Sequence, residues 1–155
     1  MAPNNVEERI GRLEDLEALK NLQVTFSYAV DRGDWQAIAE LFVEDAIADF
    51  GSFGYYRGKS EVIRYFRDIF PPAFSFMAHM LHNPLIKIEG NEATAEWYFE
   101  TPVTHTKSNR ALWIAGKYES ECCKVEGTWR YKTLRSNVFY VTPYDEGWVK
   151  TRIYE

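Results

Sequence analysis

The stretch HMLHNPLIKIEGNEATAEWYF, residues 79–99, holds two runs of alternating apolar and polar residues separated by Glu89-Gly90-Asn91. Alternation with period two marks half-buried strands, and a glycine in a three-residue connection marks a hairpin. In the first run Ile86 and Ile88 share one face and Lys87 and Glu89 the other. Carried backwards without a bulge, the same parity puts Phe76, Ala78, Met80 and His82 inward and His79 outward. The second run puts Ala93, Ala95, Trp97, Phe99, Thr101, Val103 and His105 on its apolar side.

Outward from this hairpin, a second turn at Glu126-Gly127-Thr128-Trp129 follows another long β-branched and aromatic run. The pattern predicts strands at about 75–89, 92–106, 111–125 and 128–142, preceded by a short strand near 45–50. The third long strand offers Leu112, Ile114, Tyr118 and Cys122 to the same interior.

Upstream the period changes. Ile10, Leu13, Leu16, Leu19, Leu22, Phe26 and Ala29/Val30 recur at three- and four-residue steps and predict one amphipathic helix from Val6 to about Val30. Gly33 can take the left-handed conformation that ends it, and Asp34 is placed to cap a second helix, WQAIAELF. A third helix over 59–70 stops at Pro71-Pro72. Helices first and an antiparallel meander second make an α+β chain, a single domain over 1–155 with its helices packed on one face of a curled sheet. A cone of this kind is open at one end.

The net charge of -5 offers no basic stripe for nucleic acid. No apolar run reaches a membrane span, and the opening MAPNNVEER lacks the pattern of a secretion signal, so the expected location is the cytoplasm. Cys122 and Cys123 are neighbours whose side chains point to opposite faces of a strand, which suits two reduced thiols. The three histidines lack the companions of a structural zinc site, so neither metal nor cofactor is expected. The 25 aromatic residues (5 Trp, 10 Tyr, 10 Phe) are enough to line an apolar pocket for a ring-shaped ligand as well as fill a core.

One acid stands out. Asp34 has a capping role, but Asp31 lies at the carboxyl end of a helix, where the macrodipole disfavours negative charge by roughly 0.3–1 kcal/mol. Such a carboxylate wants a cation nearby, and a buried imidazole wants a partner for each ring nitrogen. His82, read as inward, is the expected partner, and the pair would be a general base for proton abstraction with Tyr118 as a hydrogen-bond donor to developing oxygen charge. Phe26, Trp35, Tyr55, Phe66, Met80 and Trp97 are candidate apolar walls of the substrate site.

The order SYAVDRGDWQAIAELFVEDA, GYYRGKSEVIRYF, HMLHNPLIKIEGNEATAEWYF, GKYESECCKVEGTWRYKTLR and YVTPYDEGW, over about residues 8–148, resembles the SnoaL-like branch of the nuclear transport factor 2-like superfamily. This branch includes the scytalone dehydratase, bile acid 7α-dehydratase and hexachlorocyclohexane dehydrochlorinase lyases. The resemblance implies a cystatin-like α+β cone with an interior pocket, built as a homodimer or homotrimer. It also implies a catalytic aspartate at the helix end, here Asp31, a catalytic histidine in the first long strand, assigned to His82, and a polar pocket residue at Tyr118.

Departures from the branch pattern fall at Phe50 and Val30, where relatives carry tyrosine, with Tyr28 shifted along the helix, and at Val138, which leaves Arg135 or Asn137 as polar substitutes. The expected function is a cofactor-independent, dehydratase-type lyase acting on a small apolar alicyclic or polycyclic molecule. The alternatives are an isomerase or polyketide-cyclase-type enzyme using the same base, or a non-catalytic ligand-binding domain like a dioxygenase small subunit.

Overall fold

The computed structural model describes residues 5–154, so the first four residues of the opening segment read above lie outside the described residues. Helix α1, Val6–Arg32, opens with the Asn5 side chain accepting from the Glu8 amide and closes on Gly33, whose φ of 66° supplies the left-handed turn. The Gly33 N–H donates back to the Ala29 and Val30 carbonyls. Asp34 then caps α2, Trp35–Glu40, by accepting from the Ala37 amide at 3.0 Å. Only the second half of α1 is buried, from Leu19 through Val30. Ile10 and Leu13, expected on a buried face, are exposed in the amino-terminal half of the helix, which runs beyond the buried segment that starts at Leu19. It is held there by Asp15, which accepts from Trp129 Nε1 at 2.9 Å and pairs with Lys124.

The sheet contains β1 Phe42–Asp49, β2 Tyr55–Arg57, β3 Phe74–Met77, β4 Met80–Glu89, β5 Glu92–His105, β6 Arg110–Val125 and β7 Thr128–Pro143. Strand order is β2-β1-β7-β6-β5-β3, with β4 following β3 along the same edge of β5. Among the named strands every pairing is antiparallel except β1 with β7, which runs parallel and corrects the expectation of a purely antiparallel sheet, and an isolated parallel bridge joins Val141 to Ile153. Between β2 and β3, helix α3, Lys59–Arg64, widens into a π turn over Tyr65–Ile69 before the two prolines end it. That turn carries Tyr65 and Phe66 into the core, where Phe66 meets Phe26 edge-on at 5.6 Å.

The inward faces of β5 and β6 follow the alternation of the sequence: Ala93, Ala95, Trp97, Phe99, Thr101 and Val103 are buried, as are Leu112, Ile114, Tyr118 and Cys122. Both cysteines are free thiols. No helix among the described residues is long and apolar enough to cross a membrane.

The strand expected at 75–89 is two strands, and its face reverses along the way. From Leu85 to Glu89 the register with β5 keeps Ile86 opposite Ala95 and Ile88 opposite Ala93. Between the pairs His82↔Tyr98 and Leu85↔Glu96, β4 advances three residues while β5 advances two. The extra residue is a β-bulge at Asn83-Pro84, with Asn83 at φ 49°. A one-residue slip exchanges the two faces of a strand. Ahead of the bulge the odd positions therefore face inward: Leu81 pairs with Phe99 and Met77 with Val103.

Candidate active site

Asp31 receives two hydrogen bonds from one residue, and that residue is His79. The His79 main-chain N–H donates to Asp31 Oδ2 at 2.9 Å, and His79 Nδ1 lies 2.6 Å from Asp31 Oδ1. The amide thus leaves the sheet ladder for the carboxylate, and the ladder breaks at this residue. Opposite the break stands Pro102, which has no N–H to offer the neighbouring strand and accepts from the Ala78 amide at 3.2 Å. The His79 side chain is 6% exposed and that of Asp31 20%.

The expected partner, His82, stands elsewhere. Its side chain is 45% exposed on the outer face, with Nε2 3.6 Å from Glu100 Oε2. This corrects the pairing of Asp31 with His82 and the outward placement of His79. The physical reason is the bulge: the even-position parity of Ile86 and Ile88 does not extend through Asn83-Pro84.

His79 opens on a cavity of about 60 Å³ lined by Phe26, Val30, Phe50, Phe53, Tyr65, Phe66, Phe70, Phe74, Met77, Phe99, Thr101, Val103, Ile114, Tyr118, Ser136 and Val138. Its polar atoms come from His79, Thr101, Tyr118, Ser136 and Tyr65 in an otherwise hydrocarbon and aromatic wall. Phe50, Phe53, Phe74, Ser136 and Val138 also border a wider mouth of about 560 Å³ that adds His105, Asn137 and Tyr154. On the far side of the dyad, Ser27, Tyr28, Asp31, His79 and Leu81 line a separate cleft between α1 and β4.

Tyr118 is buried, stacked on Phe99 at 4.3 Å between ring centroids and edge-on to Phe26 at 6.0 Å. Burial, and then the charge of Asp31, push its phenol well above the ordinary tyrosine range, so it stays a neutral O–H donor. A carboxylate accepts at Nδ1, so the neutral form of the His79 ring carries its lone pair on Nε2. A negative charge is fixed beside the ring on which positive charge would develop.

The remaining expected residues divide. Phe26, Phe50 and Phe66 line the inner cavity. Trp97 is buried on the inward face without lining it, and its Nε1 has no hydrogen-bond partner among the described residues. Asn137 borders the mouth. Tyr28 is exposed in the outer cleft under the Arg32 guanidinium, and Trp35 packs under Arg67 away from the cavity. Tyr55 and Met80 are exposed, and Arg135 is exposed and borders neither cavity, so these three are not walls of the site. Met80 fails for the same reason as His82: both lie before the bulge. Thr101, Ser136 and His79 are cavity residues that parity alone did not single out as polar groups of the site.

Residues 11–135 match the SnoaL-like domain family, and the chain belongs to that family. It is similar to the uncharacterized protein Rv2910c of Mycobacterium tuberculosis, at 21% identity over 78% of this chain and 83% of that one. Among solved structures it superimposes on hexachlorocyclohexane dehydrochlorinase LinA type 2, with a TM-score of 0.84 and 19% identity over 87% of this chain and 92% of that one. A candidate scytalone dehydratase from Novosphingobium aromaticivorans superimposes with a TM-score of 0.78 and 22% identity, covering 86% and 89% of the two chains. At these identities the likeness is one of fold, the nuclear transport factor 2-like α+β cone.

Proposed function

We propose that this protein is a cofactor-independent lyase of the dehydratase type, with His79 as general base, Asp31 as the residue that orients and charge-balances it, and Tyr118 as hydrogen-bond donor to the substrate. The observation that carries the reading is the 2.6 Å contact between His79 Nδ1 and Asp31 Oδ1 on a histidine whose ring borders an apolar cavity. In the reaction, Nε2 takes a proton from a carbon of the guest. The C–H electron pair becomes the new double bond as the leaving group departs with its own bonding pair. When that group is hydroxide, the imidazolium can return its proton and water is released.

The apolar walls suit a ring-containing hydrophobic molecule, and the size of the inner cavity suits only the reacting end of it, with the rest in the mouth. The similar dehydrochlorinase and dehydratase folds support a small-molecule lyase or isomerase reading. Two free thiols suit a reducing compartment, and the proposal places the enzyme in the cytoplasm.

The proposal includes self-association as a homodimer or homotrimer. Its support is an aromatic surface on β5, β6, β7 and the segment after it: Tyr98 with Phe139, and Trp113 with Tyr140, Tyr144 and Trp148, the last stacked on Tyr140 at 5.1 Å. Surface aromatics grouped in this way favour a partner surface of the same kind. Light scattering on the purified chain tests it; a monomer at micromolar concentration would remove this part.

The chemistry is tested by screening cyclic hydroxy and halo ketones with wild type and His79→Ala, reading products by mass. Loss of water or hydrogen halide that depends on His79 is the expected result. Turnover that survives His79→Ala would overturn the mechanism.

A further inference from the structure

Thr101 is 3% exposed, its Oγ1 is buried with no hydrogen-bond partner among the described residues, and it lines the cavity that holds His79 and Tyr118. Its place relative to the base follows from register. Met77 pairs with Val103 and Met80 with Glu100, so the two intervening residues of each strand face one another, His79 opposite Thr101. On the other side Thr101 pairs with Ile114, four residues before Tyr118 on β6, and the Tyr118 ring lies over Phe99, the inward neighbour of Thr101.

An unpaired buried hydroxyl is costly, and valine has nearly the same shape without that cost. A buried threonine with an unpaired hydroxyl, beside the base and lining the same cavity as the Tyr118 ring, is the signature of a site that becomes paired when a ligand enters. Both groups donate, because Tyr118 is held neutral and threonine carries an O–H. We infer that Thr101 and Tyr118 form a two-donor seat for a carbonyl oxygen of the substrate, so that the substrate class is a ring ketone whose α C–H faces His79, rather than a halocarbon without oxygen. This rests on the reading of His79 as base. As the α proton moves to Nε2, charge passes to the carbonyl oxygen, and the two O–H groups meet it there.

The test uses 2-tetralone and its hydrocarbon counterpart tetralin as probes of the full-length protein. Affinities are measured by NMR titration, and exchange of the ketone's α protons is followed in deuterium oxide against the buffer rate. Thr101→Val should weaken 2-tetralone by roughly three- to tenfold, leave tetralin unchanged, and keep or raise Tm, while Thr101→Ser restores ketone binding. Equal affinities of Thr101→Val and wild type for 2-tetralone, an equal loss for both probes, or no binding of 2-tetralone at all would overturn the inference. The base is read separately: His79→Ala should keep ketone binding and lose exchange above the buffer rate. Thr101-dependent binding without wild-type exchange would remove the base and leave the seat.

Discussion

The Asp31 carboxylate holds His79 at two points, the ring through Nδ1 and the backbone through its amide, so the imidazole is fixed in both tautomer and position. The macrodipole cost of an acid at the end of α1 is offset by hydrogen bonds from a residue 48 positions away in the chain. Replacing His79 with alanine should lower turnover by roughly 10²- to 10⁴-fold, the usual worth of a positioned general base. Replacing His82 with alanine should leave turnover intact and stability within about 0.5 kcal/mol, as for other exposed positions. Steady-state rates and thermal melts of the two variants decide between the histidines. A loss confined to His82→Ala would reverse the assignment.

The bulge makes its own prediction. Asn83 sits at φ 49°, a region that asparagine tolerates and β-branched residues resist. Asn83→Val should destabilise by about 1–2 kcal/mol, and Asn83→Gly should change stability by less than about 0.5 kcal/mol, measured by urea unfolding. Comparable losses in both would mean that the Asn83 side chain, not the backbone conformation, supports the turn.

Asp15 ties the overhanging half of α1 to the last hairpin. Burial acts to raise its carboxyl, but hydrogen bonds from Lys124 and Trp129 outweigh burial and hold it below the ordinary value. A depressed folded-state pKa contributes stability that is present above the unfolded value, about 3.9, and is lost as pH falls through the folded one. Wild type should exceed Asp15→Asn by about 1 kcal/mol at neutral pH, and the gap should close below about pH 4. Unfolding curves at several pH values measure it; a gap that persists in acid would assign the effect to packing.

The adjacent thiols should differ sharply. Burial pushes Cys122 up to about 12, and burial also raises the partly exposed Cys123 to a smaller degree. A disulfide reagent at neutral pH should modify Cys123 slowly and Cys122 only after denaturation, as read by mass spectrometry of the labelled peptides. Rapid double labelling of the native protein would contradict the burial of β6.

Much of this arrangement was legible in the residues. The period-3.6 run defines α1, Gly33 and Asp34 mark the α1–α2 junction, and alternation identifies the inward faces of β5 and β6, including Tyr118. Asp31 stood out because helix electrostatics disfavour an acid there. What alternation could not deliver was the partner, because parity is a local rule and the HNP segment interrupts it. The signal was nonetheless present: proline inside a strand, preceded by a residue that accepts positive φ, marks a bulge. Burial of only half of α1 and the parallel β1–β7 pair depend on long-range geometry that no window of the chain encodes.

The extra residue at Asn83-Pro84 also bears on how this chain is compared with others. A relative whose equivalent strand runs straight will match it residue for residue from the glycine turn back to Leu85 and then fall out of step by one. An alignment that omits the gap would match a surface position to the interior base throughout that segment. Placing a single-residue gap at the proline keeps side chains on the same face in the same column.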